Sequence, residues 1–185
     1  MVAWDGTVVL RTARLTLRTF TRADLPLYHR LNADPEVYRW LGGSPLPRER
    51  SDEIAAWANH LYETERIGLL AIERTADARF LGMCGLHHQE SLTDALEIAW
   101  RLSSAHWGQG YAGEAALAWA AYAFDELDQA RIESCTDHDN VRSRGVMEHI
   151  GMTWARDAVI VDEGQEFDAV VYELTAARWH ELHPR

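Results

Sequence analysis

His106-Trp-Gly-Gln-Gly-Tyr-Ala-Gly-Glu-Ala115 decides how the rest of the chain is read. It lies between an apolar run with strand character, about Ala95–Leu102, and an alanine-rich helical run that continues to about Leu127. A glycine turn between strand and helix gathers backbone N–H groups at the positive end of the helix, where they converge on an anion such as a phosphate. Glycine suits the task because a Cβ would hold the phosphate off the backbone and because such turns often take positive φ. Gly108–Gly113 also matches the G-x-G-x-x-G dinucleotide pattern, and Glu133 stands 20 residues beyond Gly113, where a ribose-binding acid is expected. Position argues against that reading. The turn follows a run of hairpin strands, and only 72 residues remain after it for the rest of a doubly wound sheet.

Working outward, Leu15-Thr-Leu-Arg-Thr-Phe20 alternates like a half-buried strand, and Thr21 is expected to cap a helix with Asp24 in its first turn. Asn32-Ala-Asp-Pro35 and Gly42-Gly-Ser-Pro-Leu-Pro47 are breaks, followed by a helix over about Arg48–Glu65. Ile67–Glu73 and Arg79–His88 read as hairpin strands joined at Thr75-Ala-Asp-Ala78. Beyond the glycine turn and its helix come a strand at Ile132–Thr136 and a helix at Asn140–Ile150 closed by Gly151. A strand pair, Ala158–Val161 and Phe167–Leu174, follows around Glu163-Gly164. The fold class expected is α/β, one domain with a mixed, mostly antiparallel sheet flanked by helices, in the order β-α-α-β-β-β-α-β-α-β-β. Residues 1–10 read as an N-terminal extension, 11–175 as the domain and 176–185 as a C-terminal tail.

A chain of 185 residues suits one core, and 47% apolar with 25% charged residues is globular composition. The net charge of −11 disfavours nucleic acid and anionic membranes as partners and mildly favours cationic ones. No apolar run is long enough for a membrane helix and the first ten residues lack a signal-peptide pattern, so a cytoplasmic location is expected. Cys84 and Cys135 sit in apolar strand-like surroundings and read as reduced, inert thiols. The nine histidines show no metal spacing; His87 and His88 are adjacent and would point to opposite faces of a strand.

The glycine turn resembles the pyrophosphate loop of the GNAT N-acetyltransferases, especially their ribosomal-protein N-terminal acetyltransferase (RimJ/RimL-like) branch. Gly110 and Ala112 occupy the small positions of that loop, Trp107 replaces its leading Arg or Gln, and Gly113 stands where the branch often has threonine. Leu15–Arg18, Asp34-Pro-Glu36, Glu97-Ile-Ala-Trp-Arg-Leu102, and Asn140-x-x-Ser143 through Gly151-Met152 follow in the branch's order, covering roughly residues 11–175.

The resemblance implies an acetyl-CoA-dependent N-acetyltransferase, with acetyl-CoA as cosubstrate and no metal. It implies that the Glu97–Leu102 strand splays from its neighbour and offers the Trp100, Arg101 and Leu102 backbone to the pantetheine arm. Gly108, Gln109, Gly110, Tyr111, Ala112 and Gly113 would hold the pyrophosphate, Asn140 the arm, and Ser143 the sulfur. Glu97 is the candidate base and Glu133 the reserve. Glu97 shares a strand face with Ala99 and Arg101, opposite Ile98, Trp100 and Leu102. His138 is placed near the cofactor or at the surface, and Trp40, Leu41 and Gly42-Gly43 near the acceptor channel. Gly145 should cost its helix about 1 kcal/mol relative to alanine.

The acceptor is then a primary amine, a protein N-terminus or a small molecule. The charge, together with Asp34 and Glu36, favours a cationic one. A non-catalytic acyl-CoA-binding module and an NAD-dependent oxidoreductase are the alternatives, and a homodimer, the acyl group and the identity of the amine stay open.

Overall fold

The computed structural model describes residues 2–92, 94–162 and 165–184. The strands are β1 (Val8–Arg11), β2 (Leu15–Arg18), β3 (Gly68–Arg74), β4 (Arg79–His87), β5 (Leu96–Leu102), β6 (Arg131–Asp137), β7 (Thr153–Asp162) and β8 (Gln165–Thr175). The helices are α1 (Leu25–Asn32), α2 (Pro35–Tyr38), α3 (Arg48–Glu65), α4 (Tyr111–Asp125), α5 (Val141–His149) and α6 (Ala176–Leu182). The expected turn at Glu163-Gly164 lies outside the described residues.

The strands form one sheet in the order β1-β2-β3-β4-β5-β6-β8-β7. Its neighbours are antiparallel except for β5 and β6, which run parallel. That is the mixed, mostly antiparallel α/β fold expected. Leu17, Leu70, Ile98 and Leu102 form one core with α4, α5 and α6, where Trp119 is fully buried. Phe20, Leu69, Ala71 and Met83 form a second core with α1, α2 and α3. Among the described residues no helix is long and apolar enough to cross a membrane.

Three elements escaped the sequence pattern. β1 is only four residues long, and all but Arg11 fall in the segment read as an extension. α2 is a single turn capped by Asp34, whose side chain accepts from the Glu36 N–H. α6 falls in the segment read as a tail, yet Thr175 caps it and its Trp179 stacks on Phe124 at 5.6 Å between ring centroids.

Two local expectations are corrected. β2 is buried on both faces rather than half-buried, because β1 covers its outer edge and its polar side chains find partners inside. Arg18 pairs with Asp24 (2.7 Å) and Glu73 (2.9 Å). Thr21 does not cap α1. Asp24 is the residue before the helix, makes no capping bond, and turns its carboxylate back to accept from the Thr21 N–H and hydroxyl and from both Arg18 Nη atoms. Arg18 outcompetes the helix end for that carboxylate.

Burial alone would raise the Asp24 pKa, but the hydrogen bonds from Arg18 and Thr21 and the Arg18 charge outweigh it and hold the carboxyl below its usual value. A depressed carboxyl pKa contributes stability above the unfolded value, about 3.9, and that contribution is lost as pH falls through the folded value. Asp24→Asn should therefore lower unfolding free energy at pH 7 by about 3 kcal/mol. In urea titrations at stepped pH, the gap between variant and wild type should shrink below about pH 4.

Candidate active site

β5 and β6 are paired at Leu96↔Ile132 and Glu97↔Glu133, and the register goes no further among the described residues. Beyond Glu97 the two strands part. β4 continues to hold the other edge of β5 as far as Gly82↔Leu102, so the parting opens a cleft of about 640 Å³ without loosening the sheet. The cleft runs from the glycine turn, along Trp100, Arg101 and Leu102, past Asn140 and Ser143, to Glu97 and His87.

At its first end, Gly108 and Gly110 have φ of +74° and +78°, the left-handed region that other residues rarely adopt. Gly110 precedes α4 and no side chain caps the helix, which leaves first-turn N–H groups to a ligand. Gly108, Gly110, Tyr111, Ala112 and Gly113 line the cleft. Gln109 is absent from that lining: its carbonyl accepts from Arg14 Nη1 and its amide donates to the Ala105 carbonyl. An acid in the first turn, Glu114, would repel a phosphate, but Arg14 binds its carboxylate at 2.6 Å and Thr12 donates to it. Burial would raise the Glu114 pKa, and these bonds reverse that and lower it.

Asn140 caps α5 by accepting from the Ser143 N–H at 3.2 Å and donates to Thr136 Oγ1 at 2.9 Å. Capping fixes the turn and keeps Ser143 on the cleft wall. Gly145 also lines it, and nothing lies within 4 Å of the position a Cβ would take, so this helix glycine borders open space rather than packed protein.

Glu97 is buried at 5% exposure, facing the second core as Ala99 does, while Ile98 and Leu102 face the first. Its Oε2 lies 3.0 Å from His87 Nε2, and Cys135 Sγ donates to its Oε1 at 3.2 Å. His87 Nδ1 lies 3.0 Å from the His88 carbonyl, so both ring nitrogens face acceptors. Cys84 is a buried free thiol with its pKa pushed up by burial, whereas Cys135, also outside any disulfide among the described residues, borders the cleft. Glu133, the reserve base, is 1% exposed, clasped by Arg156 at 2.8 and 3.0 Å, and outside the cleft.

The description "Acetyltransferase (GNAT) domain" matches residues 14–153. This chain belongs to the GNAT acetyltransferase family. It is 31% identical over 152 residues to the uncharacterized protein YkkB of Bacillus subtilis (strain 168), covering 80% of this chain and 86% of YkkB. It is 29% identical over 182 residues to the FsC-acetyl coenzyme A-N(2)-transacetylase of Aspergillus fumigatus, covering 92% and 77% of the two chains. The crystal structure of an acetyltransferase from Agrobacterium tumefaciens str. C58 superposes with a TM-score of 0.77 at 30% identity, covering 89% of this chain and 92% of that one.

As a GNAT acetyltransferase the chain is an acetyl-CoA-dependent enzyme, and the dinucleotide reading falls with the sheet. A doubly wound fold needs successive parallel strands, and here one pair is parallel. Trp40 and Leu41 border the cleft as expected, but Asp34 and Glu36 do not: Asp34 accepts from Ser104 Oγ and caps α2, and Glu36 pairs with Arg39 at the surface. His138 is exposed near Asp157.

Sequence reasoning passed over His87, Arg142 and His149, all of which line the cleft. Arg142 stacks over Trp107 at 4.9 Å, and a Cβ on Gly113 would come within 2.8 Å of the His149 ring. Only the Arg142 position carried a signal, as a cation in the Asn140-x-x-Ser143 segment; the other two depend on register and helix packing. Gly110→Glu should raise the acetyl-CoA dissociation constant roughly a hundredfold or more, because it blocks several charge-assisted hydrogen bonds. Calorimetric titration, with circular dichroism to confirm the fold, checks this.

Proposed function

We propose that this enzyme acetylates a primary amine that enters on the α2 side of the sheet, while acetyl-CoA lies in the gap between β5 and β6. The observation that carries the reading is the parting of those strands beyond Glu97, which joins the glycine turn to a buried carboxylate in one cleft. The Aspergillus relative, whose name specifies acetyl coenzyme A, supports the choice of donor.

In this reading the pyrophosphate rests on the N–H groups at the start of α4, with Gly108, Gly110, Ala112 and Gly113 allowing close approach. The edge of β5 that β6 leaves at Trp100, Arg101 and Leu102 holds the pantetheine arm, and Asn140 orients the turn that faces it. The neutral amine nitrogen attacks the thioester carbonyl carbon. A C–N bond forms, the C–S bond breaks, the amine proton passes to Glu97 directly or through water, and the departing thiolate takes a proton from water while Glu97 returns its own to solvent. Ser143 donates a hydrogen bond to the sulfur as its charge develops. His87 holds Glu97 in place and shares its proton, which makes it a positioning residue.

Ser143→Ala should lower kcat about five- to tenfold, the ~1 kcal/mol value of one hydrogen bond, with little change in acetyl-CoA affinity. Glu97→Gln should lower kcat by roughly a hundredfold. Steady-state CoA release across pH 6–10 measures both, and wild-type rates in both variants would remove these roles.

A further inference from the structure

Arg101 lies on the same face of β5 as Glu97, four residues further on, about 13 Å between Cα positions. The residue borders the cleft and donates from Nη1 to Asn32 Oδ1 at 2.7 Å, while its Nε is buried and has no hydrogen-bond partner among the described residues. Asn32 is fully buried and donates in turn to Ser51 Oγ at 3.1 Å, so the guanidinium is held in place by a fixed amide. No ion pair reaches Arg101 among the described residues. A partly buried cation with one neutral partner is an uncompensated charge, and such charges are costly until an anion meets them.

The space between the two charged ends is small-floored and apolar-walled. Ala99 lies between Glu97 and Arg101 on the strand face, and its neighbour on β4 is Gly85. Leu69, Met83, Trp40 and Leu41 border the same cleft. A carboxylate at one end, a guanidinium at the other and hydrocarbon between them complement a zwitterion with an apolar body. Its amine faces Glu97 and its carboxylate faces Arg101. A polyamine would be drawn by the net charge of −11 but would meet the Arg101 cation inside, whereas a zwitterion has no net charge to be repelled by either.

We propose that the acceptor is an amine carrying its own carboxylate, of amino-acid or dipeptide size and with an apolar side chain, and that Arg101 selects it by binding that carboxylate. This rests on the acetyl-transfer reading above and names the acceptor class for the same site. The reaction is unchanged: the acceptor amine gains the acetyl group, CoA leaves as the thiol, and the carboxylate takes no part in bond making.

The test is acetyl-CoA-dependent CoA release with L-phenylalanine, the dipeptide leucyl-leucine, the carboxamide of each, 2-phenylethylamine, spermine and a short N-terminal peptide. Wild-type kcat/KM is expected to favour each carboxylate over its carboxamide by at least tenfold. Arg101→Met should bring that ratio close to one, mainly through KM, and Arg101→Lys should restore part of it. Because each acid is compared with its own amide in the same protein, a general loss of stability cannot imitate the result. A wild-type ratio of one or less, equal losses for acid and amide in Arg101→Met, or turnover confined to spermine or the peptide would overturn the carboxylate assignment alone. CoA release no faster than hydrolysis with every amine would instead overturn the acetyl-transfer reading.

Discussion

The structure depends on one strand pair that starts and does not continue. Parallel strands joined for two residues bring Glu97 beside Glu133, and beyond them the backbone ladder between the facing edges of β5 and β6 stops. In a closed sheet such edges would have to be paired. On the proposed placement they become a surface for an extended ligand, while β4 on one flank and β8 on the other keep each strand in register. The glycine turn, α4 and α5 are all arranged around the mouth of that gap.

The same parting separates two carboxylates that the register sets side by side. Glu133 is surrounded by arginine: Arg156 clasps both of its oxygens, and Arg131 lies 3.6 Å away. Glu97 faces the cleft with a histidine and a thiol instead. Two glutamates at equivalent positions on neighbouring strands thus meet different environments, and only one of them has a ligand-sized space in front of it. On the proposed placement the acidic chain meets a polyanion locally, through helix N–H groups, with Arg14 neutralising the first-turn acid Glu114.

Local pattern carried much of the fold. α3 occupies the span its periodicity marks, Arg48–Glu65, and the expected strands fall within a residue or two of their places except β7, which starts at Thr153 rather than Ala158. The elements that escaped are short: four residues in β1, four in α2 and seven in α6 contain too few turns or alternations to stand out. The Thr21 cap failed for another reason: α1 begins only at Leu25, and Asp24, expected in its first turn, precedes it with its carboxylate taken by Thr21 and by Arg18, brought inward by the burial of β2.

By itself the sequence determined the backbone-level features of the site: a strand, a turn whose glycines permit positive φ, a helix with an uncapped N-terminus, and an Asn140-x-x-Ser143 turn that caps the next helix. These follow from neighbours a few residues apart, which is the range over which backbone conformation is set. Only the tertiary structure decided which side chains share the cleft. His87 reaches Glu97 because β4 and β5 pair in one register, and Arg101 of β5 is held by Asn32 at the end of helix α1. Asp34 and Glu36 are drawn away to a cap and a surface ion pair. Such choices depend on competition among groups distant in the chain for the same few charges and hydrogen bonds, and that competition is settled only when the elements pack.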